Sequence, residues 1–158
     1  RSGVVANIGS VVGWVGGPGG GLYSASKFAV AGLSQSLRAE TAHLGLEVVC
    51  IEPGFFRTSF LAGANVVASR RIDDYEPVTK PLREFLAQRN GTQIGDPVEG
   101  AKLIVEALTK TGRCAGRALP TRLVLGSDAI GMITDALALG QKELADWAEL
   151  ARSTDIVE

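Results

Sequence analysis

The chain is poor in histidine, in cysteine and in long apolar runs, and each scarcity argues against a class of function. The single histidine, His43, lies at the far end of a long helical stretch from Ser10, and no G-x-S-x-G elbow is present, so a His-based hydrolase triad is not expected. Cys50 and Cys114 are far apart in sequence, and neither has a second Cys or a His at a metal-ligand spacing. They read as ordinary buried thiols of an intracellular protein, and no metal site is expected. The strongest apolar run, Val48 to Ile51, is stopped by Glu52 and Pro53, far short of the ~20 residues that span a bilayer. Sixteen basic and seventeen acidic residues leave a formal charge of -1 with no basic block, so neither nucleic acid nor membrane is an expected partner. Residues 1–5 carry no initiator Met and no charged-then-apolar signal pattern. The expectation is a cytoplasmic protein whose chain is entered partway through a domain.

What is present suits one globular domain, because 158 residues at 46% hydrophobic content can fill a core, and no internal repeat or low-complexity linker interrupts them. Gly3 to Gly9 is a short Val- and Ile-bearing run bounded by glycine and predicts a buried strand. A Gly-rich loop follows. From Leu22 to about Leu44 the spacing of Phe28, Val30, Leu33 and Leu37 predicts a long helix with Gly45 as its C-cap. Leu46 to Glu52 predicts a second buried strand. Strand, helix, strand without a hairpin signal implies a crossover and parallel pairing, hence an α/β sheet. Residues 55–95 read as an excursion over the sheet's C-terminal edge with a helix around Lys80 to Gln88, and Asn90-Gly91-Thr92 reads as a turn. Asp96 and Pro97 open a further helix ending near Gly112, Leu119 to Leu125 is a third strand, and Ser127-Asp128 caps a final helix. On that last helix Ile130, Ile133, Leu137, Leu144 and Trp147 form a stripe, read first as packing on its own domain and second as a subunit contact.

Tyr23 and Lys27 stand four residues apart on the long helix, so they share a face one turn apart. An ammonium near a phenol favours the phenolate, which brings proton transfer within reach of neutral pH. Ser10 follows the first strand at its C-terminal end and can aim a hydroxyl at the same space. The three supply a proton donor, a cation to tune it, and a hydrogen-bond partner for a substrate oxygen.

Asn7-Ile8-Gly9-Ser10, then Gly13, Gly16 and Pro18, then Tyr23-Ser24-Ala25-Ser26-Lys27 resemble the serine segment and Y-x-x-x-K core of short-chain dehydrogenase/reductases. Pro53-Gly54-Phe55-Phe56-Arg57-Thr58 resembles that family's PG-x-x-x-T segment, and it too follows a strand. The resemblance implies the C-terminal part of a doubly wound, Rossmann-like parallel sheet of three strands with crossover helices and a long C-terminal helix. It implies an oxidoreductase that interconverts a carbonyl and an alcohol with NADP or NAD. Tyr23 would be general acid or base, Ser10 would polarise the substrate oxygen, and Lys27 would hold the nicotinamide ribose hydroxyls and ease ionisation of Tyr23. Pro53, Gly54, Phe56 and Thr58 would line the nicotinamide pocket, the backbone at Phe56 facing the carboxamide and Thr58 near the carboxamide or diphosphate. Implied partners are a small-molecule carbonyl or alcohol and, at full length, a homo-oligomer.

The chain departs from that pattern in having no TG-x-x-x-G-x-G phosphate loop. Gly13 to Gly21 is a poor substitute, because a G-x-G-x-x-G template started at Gly17 and Gly19 requires glycine where Leu22 stands. The 158 residues are therefore expected to be the catalytic half of a domain, without its dinucleotide-binding half. The alternative is an inactive fragment acting only as an oligomerisation or binding module.

Overall fold

The computed structural model describes residues 2–63 and 71–156. Strands β1 (Gly3–Ile8), β2 (Leu46–Pro53) and β3 (Arg122–Leu125) form one sheet in the order β1-β2-β3, parallel throughout. The register pairs Gly3 with Leu46 and Ile8 with Ile51, and Cys50 with Arg122 through Pro53 with Leu125. Helix α1 (Gly21–Thr41) connects β1 to β2; α2 (Glu76–Arg89) and α3 (Pro97–Thr109) lie between β2 and β3, and α4 (Ser127–Arg152) closes the chain. This is an α/β fold.

The alternation of side chains along β2 assigns each helix to a face. Val49 and Ile51 pack with Ala107, Leu103 and Ile104 of α3. Cys50 faces the other way, towards Ser34 of α1. Polar contacts fasten α1 to the sheet and to the residues before β3: Asn7 Nδ2 donates to Ser34 Oγ at 3.0 Å, and the Arg38 guanidinium donates to the carbonyls of Val48 at 2.7 Å and Leu119 at 2.9 Å. On the α1 side, Ala129 and Ile133 of α4 pack against Val11, Val12 and Val124. Helices on both faces leave β2 buried from Val48 to Glu52.

Several expectations need adjustment. Among the described residues β1 pairs with β2 alone, so Val4, Val5 and Ile8 are exposed where a buried strand was expected. β3 starts three residues later than predicted. Pro120 has no N–H to offer a ladder, and Arg38 takes up the carbonyls of Leu119 and Pro120. α1 stops at Thr41 and hands over to a 3-10 turn, Ala42–Leu44, closed by Gly45 at φ 71° as the predicted cap. α2 starts earlier than predicted, behind a turn at Asp73–Tyr75. Asp96 caps α3 as expected, its Oδ1 accepting from Val98 N at 2.8 Å. Asp128 does not cap α4; the N-cap is Gly126, with no side-chain bond. The stripe on α4 does not pack as a whole on the domain, since Ile133 is buried while Ile130, Leu137, Leu144 and Trp147 are exposed.

Candidate active site

The C-terminal ends of the parallel strands open into a cleft of about 450 Å³, bordered by all seven residues singled out in the sequence: Ser10, Tyr23, Lys27, Pro53, Gly54, Phe56 and Thr58. Two segments and one helix bring them there. After β1 the chain turns at Gly9, where a Cβ would stand 2.6 Å from Cys50 Sγ, so only glycine lets the backbone lie this close to β2. Ser10 is extended and buried, and its Oγ accepts from Val12 N at 3.3 Å, heading the 3-10 turn Val11–Gly13. That bond uses an oxygen lone pair and leaves the hydroxyl hydrogen able to donate.

Tyr23 sits in the first turn of α1, is 41% exposed, and holds its ring 6.1 Å from that of Phe60. One turn on, Lys27 Nζ lies 5.7 Å from the Tyr23 ring centroid and donates to Ile8 O at 2.9 Å. An ammonium has three N–H groups, so this bond aims the arm across the end of β1 and leaves two more for other partners.

Several bonds hold the segment after β2, among them Gly95 N donating to Phe55 O at 3.1 Å and Arg57 Nε donating to Gln93 O at 3.0 Å. Gly54 N donates to Leu125 O at 2.8 Å, Phe55 N to Asp128 Oδ2 at 2.7 Å, and Arg57 N to Gly95 O at 2.8 Å. A Cβ at Gly54 would meet the Asp128 carboxyl at 2.4 Å, so the glycine is required by the closeness of α4. The Phe56 ring fills the space over Gly95 and Gly100. Thr58 Oγ1 accepts from Phe60 N at 3.3 Å and caps the turn that carries Phe60 towards Tyr23.

The long-range partners of Asp128 and Glu52 were not foreseen from the sequence. Asp128 had a local explanation as a helix cap, and nothing in its neighbourhood points to Phe55, 73 residues earlier. Glu52, wholly buried, accepts from Trp14 Nε1 at 2.7 Å and from Arg122 Nε at 2.8 and 2.9 Å. Under the loop, the Cys50 thiol is pushed above its ordinary range by burial first and by the Glu52 charge second. The glycine-rich stretch from Gly13 to Gly21 does not border the cleft. A more open depression of about 590 Å³ lies along α3 between Pro97 and Glu106, away from Ser10, Tyr23 and Lys27.

Comparison with known proteins bears on what this cleft is for. A family model described as short chain dehydrogenase matches residues 1–67. Dehydrogenase/reductase SDR family member 9 of Bos taurus is 33% identical over 162 residues, covering 91% of this chain and 50% of that protein. The crystal structure of a short-chain dehydrogenase from Streptomyces avermitilis is 36% identical with a TM-score of 0.82, covering 98% of this chain and 53% of that one. Short-chain dehydrogenases from Burkholderia phymatum in complex with NAD and Burkholderia cenocepacia in complex with NADP have TM-scores of 0.64 and 0.55 at 17% and 20% identity. They cover 100% and 92% of this chain, and 52% and 47% of their own, and these two likenesses are of fold alone. The chain spans about half the length of the curated relatives it matches. Parallel strands with helices on both faces, a cleft at their C-terminal ends and these matches together lead to one conclusion: the chain belongs to the short-chain dehydrogenase/reductase family.

Proposed function

We propose that the chain is the catalytic half of an oxidoreductase that interconverts a carbonyl and an alcohol, with Tyr23 as general acid and base. The observation that carries this reading is that Ser10, Tyr23, Lys27 and the segment from Pro53 to Thr58 border one cleft at the strand ends. A hydroxyl, a phenol and an ammonium around one apolar space suit a reaction at a carbonyl carbon.

The donor set in the cleft also suits the nicotinamide end of NAD or NADP, the cofactors in two of the solved relatives. Lys27 has N–H groups free for ribose hydroxyls, and the backbone from Pro53 to Thr58 offers an edge for the ring amide. No glycine loop at a helix N-terminus borders the cleft among the described residues, so the diphosphate and adenosine would be held by a dinucleotide-binding half outside these 158 residues. When bound, the nicotinamide supplies or accepts the hydride. The protein's own residues do the rest. In reduction, Ser10 and Tyr23 donate hydrogen bonds to the carbonyl oxygen; as charge builds there, Tyr23 gives up its proton, and the product is the alcohol. In oxidation the Tyr23 phenolate takes the alcohol proton while Ser10 keeps the oxygen in place. The Lys27 ammonium stands one helical turn from Tyr23, 5.7 Å from its ring centroid, and borders the same cleft.

Tyr23→Phe tests this in a polypeptide that includes the dinucleotide-binding half. The ring stays and only the transferable proton is lost, so kcat should fall by at least about 100-fold with cofactor affinity nearly unchanged. Lys27→Ala should damage both. Turnover by Tyr23→Phe near the parent rate would remove Tyr23 from the role.

A second reading, a binding or oligomerisation module, draws on the exposed apolar side chains of β1 and α1, with Leu22 at 92% and Leu33 at 63% exposure. Calorimetry of the 158-residue chain with NADH and NADPH, run beside sedimentation, separates the two. Weak, millimolar binding fits half a site, and none at all in any longer polypeptide favours the module. Assembly of the full-length enzyme into a homo-oligomer belongs to the main reading and is read from sedimentation of that longer polypeptide.

A further inference from the structure

The proposed chemistry leaves one buried charged cluster unused. Glu52 is 0% exposed, and both of its oxygens are engaged: Oε2 accepts from Trp14 Nε1 at 2.7 Å, and Arg122 Nε lies 2.8 and 2.9 Å from Oε1 and Oε2, with Arg122 Nη2 also on Oε1. Arg122 Nη2 donates in addition to Gly13 O at 3.0 Å, and the guanidinium lies over the Trp14 ring, 3.6 Å from its centroid. Carboxylate, guanidinium, indole and one backbone carbonyl thus form a closed cage. It ties the loop after β1, the end of β2 and the start of β3.

A buried ion pair is weak evidence for stability, since apolar replacements of similar volume are often neutral or better. What this one uniquely supplies is position. Gly13, held by Arg122, donates its N–H to Ser10 O at 2.9 Å, so the cage is one hydrogen bond from Ser10. Gly13 also packs on α1 so closely that a Cβ would stand 3.0 Å from Lys27 O. Glu52 is covalently next to Pro53 and Gly54. Each segment that brings a residue to the cleft is therefore one link from the cage.

We infer that Glu52, Arg122 and Trp14 are positioning residues, which set the Ser10 loop against Tyr23 and Lys27 on α1 and against the segment from Pro53. This rests on the proposed function, because it concerns the geometry of the same site. None of the three touches the reacting atoms; they act through Gly13 and Pro53.

The test uses the full-length enzyme and a variant that removes the cage while preserving apolar packing, Glu52→Met with Arg122→Leu. The expected result is a midpoint of thermal unfolding near the parent's, cofactor affinity within about twofold, and a kcat lowered at least tenfold, since small misplacements of reacting groups are costly. A second readout needs no turnover. In the cofactor-free protein the backbone amides of Gly13 and Trp14, bonded to Ser10 O and Val11 O, should exchange hydrogen at least tenfold faster in the variant. Trp14→Phe is the milder companion, keeping an aromatic ring and the ion pair but losing the N–H that bonds Glu52, and should show the same two changes at reduced size even if the double variant fails to fold. Parent-like kcat and parent-like exchange in either folded variant would overturn the positioning role. Failure of the proposed function itself looks different: Tyr23→Phe in the parent background would keep its turnover, whatever the cage variants do.

Discussion

Strand β2 and helix α4 are both rich in apolar residues, yet they stand at opposite extremes of burial. Val48, Val49, Cys50 and Glu52 of β2 are 0% exposed and Ile51 is 1%, whereas α4 buries only Ala129 and Ile133 and leaves Leu144 at 73% and Trp147 at 66% exposure. The difference is one of surroundings. β2 has a partner on either side and helices over both faces, while α4 is packed at its first turns, where Val11, Val12 and Val124 meet it. Stabilisation follows the apolar area removed from water, so the same residue type contributes very differently in the two elements. It also explains where the site can be precise, because every cleft-bordering segment is tied to β2 or to the start of α4.

The sharpest test of that contrast is Ile51→Ala, which should cost about 2–5 kcal/mol in urea unfolding by leaving a cavity between the sheet and α3. A loss below 1 kcal/mol would mean that β2 is not the centre of the core. Asp128→Ala should cost about 1–3 kcal/mol, since the half-buried N–H of Phe55 loses its acceptor. Unlike Ile51→Ala, it should also loosen the segment at Pro53 to Thr58, visible as faster amide exchange at Phe55. Cys50 gives a smaller, pH-dependent effect. Its thiol is held in the neutral form by burial, so the stability tied to it is present below the ordinary thiol value of 9.0 and is lost as pH rises from there through the raised folded value. At neutral pH a thiol reagent should label the half-buried Cys114 first and reach Cys50 only as the fold opens. Trp147→Ala should be the smallest change, within about 0.5 kcal/mol, as for exposed positions generally. A larger loss, dependent on protein concentration, would show that the end of α4 is covered in solution and would break the comparison.

Much was legible in the sequence because it depends on neighbours along the chain. The strand-helix-strand order, the one-turn spacing of Tyr23 and Lys27, the cap at Asp96 and the left-handed Gly45 are set by periodicity and by residues within a turn of one another. Other features were decided only when distant segments met. The exposure of β1 follows from its pairing with β2 alone among the described residues, whereas its glycine-bounded run of Val and Ile reads locally as a buried strand. Asp128 reads locally as a cap, but tertiary packing places it against Phe55, and Glu52 and Arg122 are 70 residues apart before the β2–β3 pairing brings them together. A side chain's local preference is a few tenths of a kilocalorie to about one, whereas a buried, unpaired polar group costs about 1–3 kcal/mol. Where the two compete, the long-range partner wins, and the sequence alone carries no mark of which partner that will be.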